Sequence, residues 1–354
     1  MSLPIPFEKG VLGVLNAEWR LKLETPLIIR NESKAAIKLQ SEDQTKGRGT
    51  ELEIVWLNSE EKLSSNTKGK KLYSELADFN YNFEVNGNRL RVEYSIPASS
   101  IRGSLRNSAI RRWIAPDYRN IFTLRKKDEI PKEEIEKQIM QAVKLLEDKK
   151  NAWFDILSLF GNAFDIDSKH DHPLTWAGRL KINVSLDNDT PDKEITYCGK
   201  KVERTDAHAP QNISLNIANR GPIDPVTMGA RSGGLHFWLE MSEGQFFRIK
   251  FHILNPKLND LELLDLWTDE INEGFLCFGA SGGENNGRAS IVEENYELFV
   301  SRASMLSTKI EDLGHPKPSR SDLLLDDIWV GAKLPRNDLK TVGLENLLIL
   351  KGDN

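Results

Sequence analysis

The stretch Ile96-Pro97-Ala98-Ser99-Ser100-Ile101-Arg102-Gly103-Ser104-Leu105-Arg106-Asn107-Ser108-Ala109-Ile110-Arg111-Arg112-Trp113 constrains this chain more than any other. An alternating run over residues 88–95 precedes it and reads as the second arm of a hairpin spanning 83–95, with Asn86-Gly87-Asn88 as the turn. Pro97 stops that strand, because proline has no N–H to give to a ladder. Ser99 or Ser100 is the expected N-cap, since a serine hydroxyl accepts from the free N–H groups of a first helical turn. Ile101, Leu105, Ala109 and Trp113 recur every four residues and make one apolar face, from which Arg102, Arg106 and Arg112 fall away. A helix start with two hydroxyls, a glycine that permits close approach (Gly103) and several guanidiniums suits a phosphate. A capped amphipathic helix with a solvated basic face is the plainer reading of the same residues.

The rest of the chain bears on that choice. Its 354 residues suffice for one large domain or two ordinary ones. With 39% hydrophobic and 29% charged residues, the composition is that of a soluble globular protein. The net charge of -5 excludes a surface coated in positive charge but not a local basic groove. Cys198 and Cys277 stand far apart, which fits a reducing compartment rather than a disulfide framework. No apolar run is long enough to cross a membrane, and the start, MSLPIPFEKG, lacks a signal-peptide pattern, so a cytoplasmic protein without a membrane partner is expected.

Residues 17–29 alternate and then turn apolar, which predicts a strand; 31–49 are polar and predict a loop. Residues 116–150 are highly charged and read as a helical surface insertion. A short apolar helix is expected over 153–160, broken at Gly161, and strands over 178–186 and 245–254. Residues 187–234 are long and irregular, a length that usually serves function or stays disordered. An amphipathic helix over 258–275, a glycine-rich loop over 279–287 and a strand over 288–292 follow. The tail after Ser301, with Pro316, Pro318 and Pro335, predicts loose packing. Without its insertions the order is strand, helix, strand, strand, helix, strand. The expected fold class is therefore α+β, a ferredoxin-like (RRM-like) βαββαβ palm that leaves one sheet face open for a ligand.

Three blocks of sequence resemble the RAMP superfamily of CRISPR effector subunits. The first, residues 96–106, is similar to that family's IPGSSLKGxxR signature, with Ala98 in place of glycine. The second is Leu159-Phe160-Gly161, followed by Gly178-Arg179-Leu180. The third, residues 278–288, resembles the family's terminal glycine-rich loop. Residues 223–231, with 240–247, are similar to the thumb of type III backbone subunits. The resemblance implies a single domain over 1–300, with a helical insertion at 116–150 and a thumb-like hairpin at 187–235, and a C-terminal extension over 301–354. It implies a type III effector subunit that grips crRNA and wedges the guide–target duplex, with target RNA and other effector subunits as partners. An end-capping subunit without catalysis and a stand-alone crRNA-processing endoribonuclease remain alternatives.

The residues expected on RNA are Ser99, Ser100, Arg102, Gly103, Arg106, Arg179, Arg231, Gly282, Gly283 and Arg288. Such groups hold phosphates without reading sequence. Met228 is either the wedge between bases or a loop-tip packing residue. The resemblance also points to an acid after the first strand as a cleavage residue. Asp43 is the only aspartate in that loop, but Ile28-Ile29-Arg30-Asn31 replaces the family's usual context. A divalent metal enters only if target RNA is cleaved. His170-Asp171-His172 with Cys198 lack a second cysteine or CxxC pair, so no metal site is expected.

Overall fold

A computed structural model of the chain describes residues 11, 13–40, 51–56, 73–86, 89–113, 152–163, 175–187, 195–197, 200–201, 203–204, 213–220, 236–280, 286–301 and 329–336. The architecture is α+β, with largely antiparallel sheets and few helices. The elements that frame the core are β1 (Gly13–Leu23), α1 (Ala98–Trp113), α2 (Ala152–Phe160), β2 (Leu180–Leu186), β3 (Phe246–Leu254), α3 (Leu258–Asn272), β4 (Ala289–Ser301) and β5 (Trp329–Lys333). The five strands form one sheet in the order β5-β4-β1-β3-β2, with every neighbouring pair antiparallel.

Alternation along the strands decides which face is buried. Leu15, Ala17, Trp19, Leu21 and Leu23 of β1 and Phe247, Ile249, Phe251 and Ile253 of β3 all point into the core. The Trp19 and Phe251 rings meet edge to face, 4.5 Å apart. The three helices contribute to the same core, with Ile101, Leu105 and Ala109 from α1 and Leu261, Leu264, Trp267 and Ile271 from α3. Phe160 of α2 packs edge to face on Trp267. Ser108 and Arg112 of α1 both bind the Glu270 carboxylate of α3, which locks the two helices together. Among the described residues, no helix is long and apolar enough to cross a membrane.

A second sheet has eight strands, and its centre is Tyr73–Phe79 flanked by Arg30–Gln40 and His236–Met241. The loop expected over 31–49 is thus a strand as far as Gln40, paired with Glu51–Trp56 on one side and Tyr73–Phe79 on the other. Its backbone finds ladder partners on both edges, which polar composition does not reveal. The region expected to be irregular also supplies strands, including Leu215–Arg220 paired with His236–Met241. The two sheets are joined where Leu27 and Met241 exchange both backbone hydrogen bonds, at 3.0 and 2.9 Å.

Residues 329–336 of the tail depart from the loose packing expected there. Strand β5 pairs with β4, Leu334 is buried, and Arg336 binds Asp265 at 3.1 Å and also Asp269, both on α3.

Candidate nucleic-acid interface

Between the two sheets lies an open cleft of about 380 Å³. Its floor is Ile28, Ile29 and Arg30, the segment after β1. One wall is α1, through Ser100, Gly103, Ser104 and Asn107, and the rim is Gly279 and Ala280. The first and third sequence blocks, 180 residues apart, therefore meet at one place. The described residues lining it carry hydroxyls, amides and a guanidinium, with no carboxylate among them.

The helix wall is built as its spacing predicts, but its cap is not. The helix begins at Ala98, and the Pro97 carbonyl accepts from Ser100 N–H at 3.0 Å. Ser99 and Ser100 thus lie inside the first turn instead of capping it. The pre-formed φ of Pro97 and its free carbonyl do the work expected of a serine side chain. That first turn holds no acidic residue. Gly103 is exposed, and a Cβ built on it would meet nothing within 4 Å. Packing therefore does not require glycine there. Arg106 is half-buried; burial first, and the neighbouring charge of Arg102 second, hold its guanidinium below the usual arginine range. Its Nε has no hydrogen-bond partner.

The rim is held to the floor by backbone. Ala280 N–H donates to the Ile28 carbonyl at 2.8 Å, and Gly287 N–H to the Pro26 carbonyl at 2.8 Å. Gly279 and Gly287 have φ of +74° and +71°, and an added Cβ at either would collide with a backbone carbonyl, that of Ile28 or Phe278. Both glycines are thus required to close this loop over the segment after β1.

The family model of the RAMP superfamily matches residues 20–287. The chain belongs to the RAMP superfamily. Among solved structures, a chain titled "Type IV-B CRISPR Complex" has a TM-score of 0.39 at 12% identity, covering 88% of this chain and 100% of that one. No curated protein matches.

Within this RAMP chain the other residues expected on RNA divide into three groups. Ser99, Ser100, Arg102, Gly103 and Arg106 are all on α1; Ser100 and Gly103 line the cleft, and Ser99, Arg102 and Arg106 do not. Arg179 does not belong with them. It is buried at 1% exposure, and its guanidinium grips Asp260 at 2.6 and 2.9 Å, Ser158 Oγ at 3.0 Å and the Asn255 carbonyl at 2.9 Å. The reading of Arg179 as an RNA contact is corrected accordingly, because every face of its guanidinium is committed inside the protein. Arg288 packs its guanidinium against Gly274, where an added Cβ would strike it, and does not line the cleft. Asp43, Met228, Arg231, Gly282 and Gly283 lie outside the described residues, as do His170, Asp171, His172 and Cys198.

The second block, Leu159-Phe160-Gly161 with Gly178-Arg179-Leu180, is scaffold. A Cβ on Gly178 would run into the Leu159–Gly161 backbone, so that glycine lets the two segments touch. The outer face of the five-stranded sheet is polar, and several of its charges are paired. Arg20 binds Asp187 at 2.6 Å and Glu293 at 2.7 Å, and Glu18 binds Arg248 at 3.1 Å and Lys250 at 3.4 Å. A polyanion on that face would have to displace these carboxylates, whereas the cleft presents none.

Sequence reasoning missed Arg30 and Asn107. Arg30 was noticed only as a departure from the family's context, and Asn107 sits one residue past the signature. The helical spacing of Ser100, Gly103, Ser104 and Asn107, at i, i+3, i+4 and i+7, was the available signal for one outward stripe.

Proposed function

We propose that this chain is a crRNA-binding subunit of a type III CRISPR-Cas effector complex, and that the cleft between its sheets grips the guide backbone. The observation that carries this reading is the meeting of the first and third RAMP blocks at a cleft that has many hydrogen-bond donors and no carboxylate among its described lining. The order β4-β1-β3-β2, with α1 and α3 as crossovers, supports reading the first sheet as a ferredoxin-like palm. Residues 1–300 are read as one domain around that palm, with 187–235 as its thumb and Met228 as the wedge. Hydroxyls, amides and arginines contact phosphates whatever the base, which is what a guide of variable sequence requires.

The described cleft holds groups for binding and none for proton transfer, so binding is the activity proposed here. Should target RNA be cleaved, Asp43 is the residue proposed for that step, separately from binding.

Cross-linking tests the reading. RNA bound to the protein is irradiated, and the linked peptides are identified. Links within residues 96–107 and 276–288 are expected. Links confined to the outer sheet face, on β2 and β3, would overturn it. Sequencing the RNA that copurifies with the assembled complex tests the guide assignment, which requires repeat-derived RNA.

A further inference from the structure

We infer that Arg30, held over the Trp238 ring, is a phosphodiester-gripping residue of the cleft; the inference rests on the RNA-binding reading above and adds a residue to it. The placement follows from the junction of the sheets. Leu27 pairs with Met241 in an isolated antiparallel bridge, and three residues further on Arg30 opens its strand opposite Phe79, on the strand whose other edge pairs with that of Trp238. The Arg30 guanidinium lies 5.2 Å from the centre of the Trp238 ring.

The ring is itself fixed. Trp238 is buried, and its Nε1–H donates to Glu240 Oε2 at 3.2 Å. Glu240 is buried as well, and its other oxygen accepts from Asn216 Nδ2 at 3.0 Å. Arg30 is exposed at the cleft floor, and among the described residues no carboxylate forms an ion pair with it. Arg30 is matched to an aromatic face instead, which orders the guanidinium while leaving its N–H edge unneutralised. A planar fork so ordered suits the two non-bridging oxygens of a phosphodiester, and loses less side-chain entropy on binding than a free arginine would.

The test measures binding of a labelled single-stranded RNA to the full chain by wild type, Arg30→Ala, Arg30→Lys and Arg102→Ala/Arg106→Ala over a salt series, with the matching DNA and inorganic phosphate as competitors. Arg30→Ala is expected to weaken RNA binding about tenfold, the order of one charge-assisted contact. It is also expected to make the salt dependence shallower by about 0.7 in log–log slope, the value for one single-strand phosphate. Arg30→Lys should recover part of the affinity at low salt, because it keeps charge but not the fork. Competition by DNA as well as RNA assigns the contact to the backbone. Competition by millimolar phosphate alone, with the same affinity for RNA in Arg30→Ala, would make it a free-anion site and overturn the inference. Unchanged RNA binding and slope in Arg30→Ala, with clear loss in Arg102→Ala/Arg106→Ala, overturns the role of Arg30 and leaves the RNA-binding reading intact. Absence of RNA binding by folded wild type overturns both.

Discussion

Arg179 and Asp260 form a buried, two-pronged ion pair that ties α2, β2, β3 and the start of α3 to one point. Both side chains are 1% exposed, and Asp260 also accepts the Lys257 N–H at 2.7 Å. Next to it, Asp155 of α2 binds Lys257 at 3.0 Å and Asn259 at 2.6 Å. An arginine inside a family signature thus serves the scaffold on which the cleft is mounted.

Removing one partner of such a pair leaves the other charge buried and alone. Arg179→Ala is expected to cost ~3–5 kcal/mol in chemical denaturation, while any protein that still folds keeps its RNA affinity. A stable Arg179→Ala variant that has lost RNA binding would return this residue to the interface.

Gly103 gives the opposite pattern. A Cβ there meets nothing, so Gly103→Ala should stabilise α1 by up to about 1 kcal/mol. If a ribose-phosphate backbone approaches the helix at this point, the same methyl weakens RNA binding. Higher melting temperature with lower RNA affinity is the expected combination.

Tyr296 links sheet and helix in the core. Its hydroxyl accepts from Trp19 Nε1 at 2.9 Å and donates to Glu294 at 3.1 Å. Burial foremost pushes the phenol up to about 12 from its ordinary 10. The folded state thus favours the protonated phenol. Its stabilisation is complete below pH 10 and is lost as the pH rises from 10 through 12. Tyr296→Phe should flatten the alkaline unfolding curve in that window. At neutral pH it should cost ~1–3 kcal/mol, because the Trp19 N–H loses its acceptor.

His252 acts at the other end of the scale. Its Nδ1 lies 2.6 Å from Asn16 Oδ1, and burial first, with the Lys181 charge second, holds its pKa below the ordinary 6.5. The neutral ring is the form the fold prefers. Its contribution is whole above pH 6.5 and declines as the pH falls below it. His252→Gln should reduce the loss of stability on mild acidification, measured by denaturant midpoints at a series of pH values.

Much of the fold was legible because it is written in local periodicity. The α1 face of Ile101, Leu105 and Ala109 is buried as its spacing requires, and the alternation of residues 246–254 survives in β3. What was hidden depends on partners distant in sequence. Residues 31–40 open with Asn31-Glu32-Ser33-Lys34, and their strand is defined by neighbours on both edges. The strands at 195–197, 200–201 and 203–204 are too short to show alternation. In β5, Gly331 interrupts the pattern that would have marked a strand. The role of Arg179 is decided by an aspartate 81 residues away, which no local motif discloses. At the cleft, the contributing segments were each visible, but their meeting was not. It depends on the Leu27–Met241 bridge and on the positive φ of Gly279 and Gly287.

The most direct test of the account is RNA binding by the purified protein, wild type against Arg30→Ala/Asn107→Ala, across a salt series. The account predicts affinity that falls steeply with salt in the wild type, and weaker binding with a shallower slope in the double variant, as phosphate contacts are lost. Equal affinity and slope in the two proteins would contradict it and move the RNA away from the cleft.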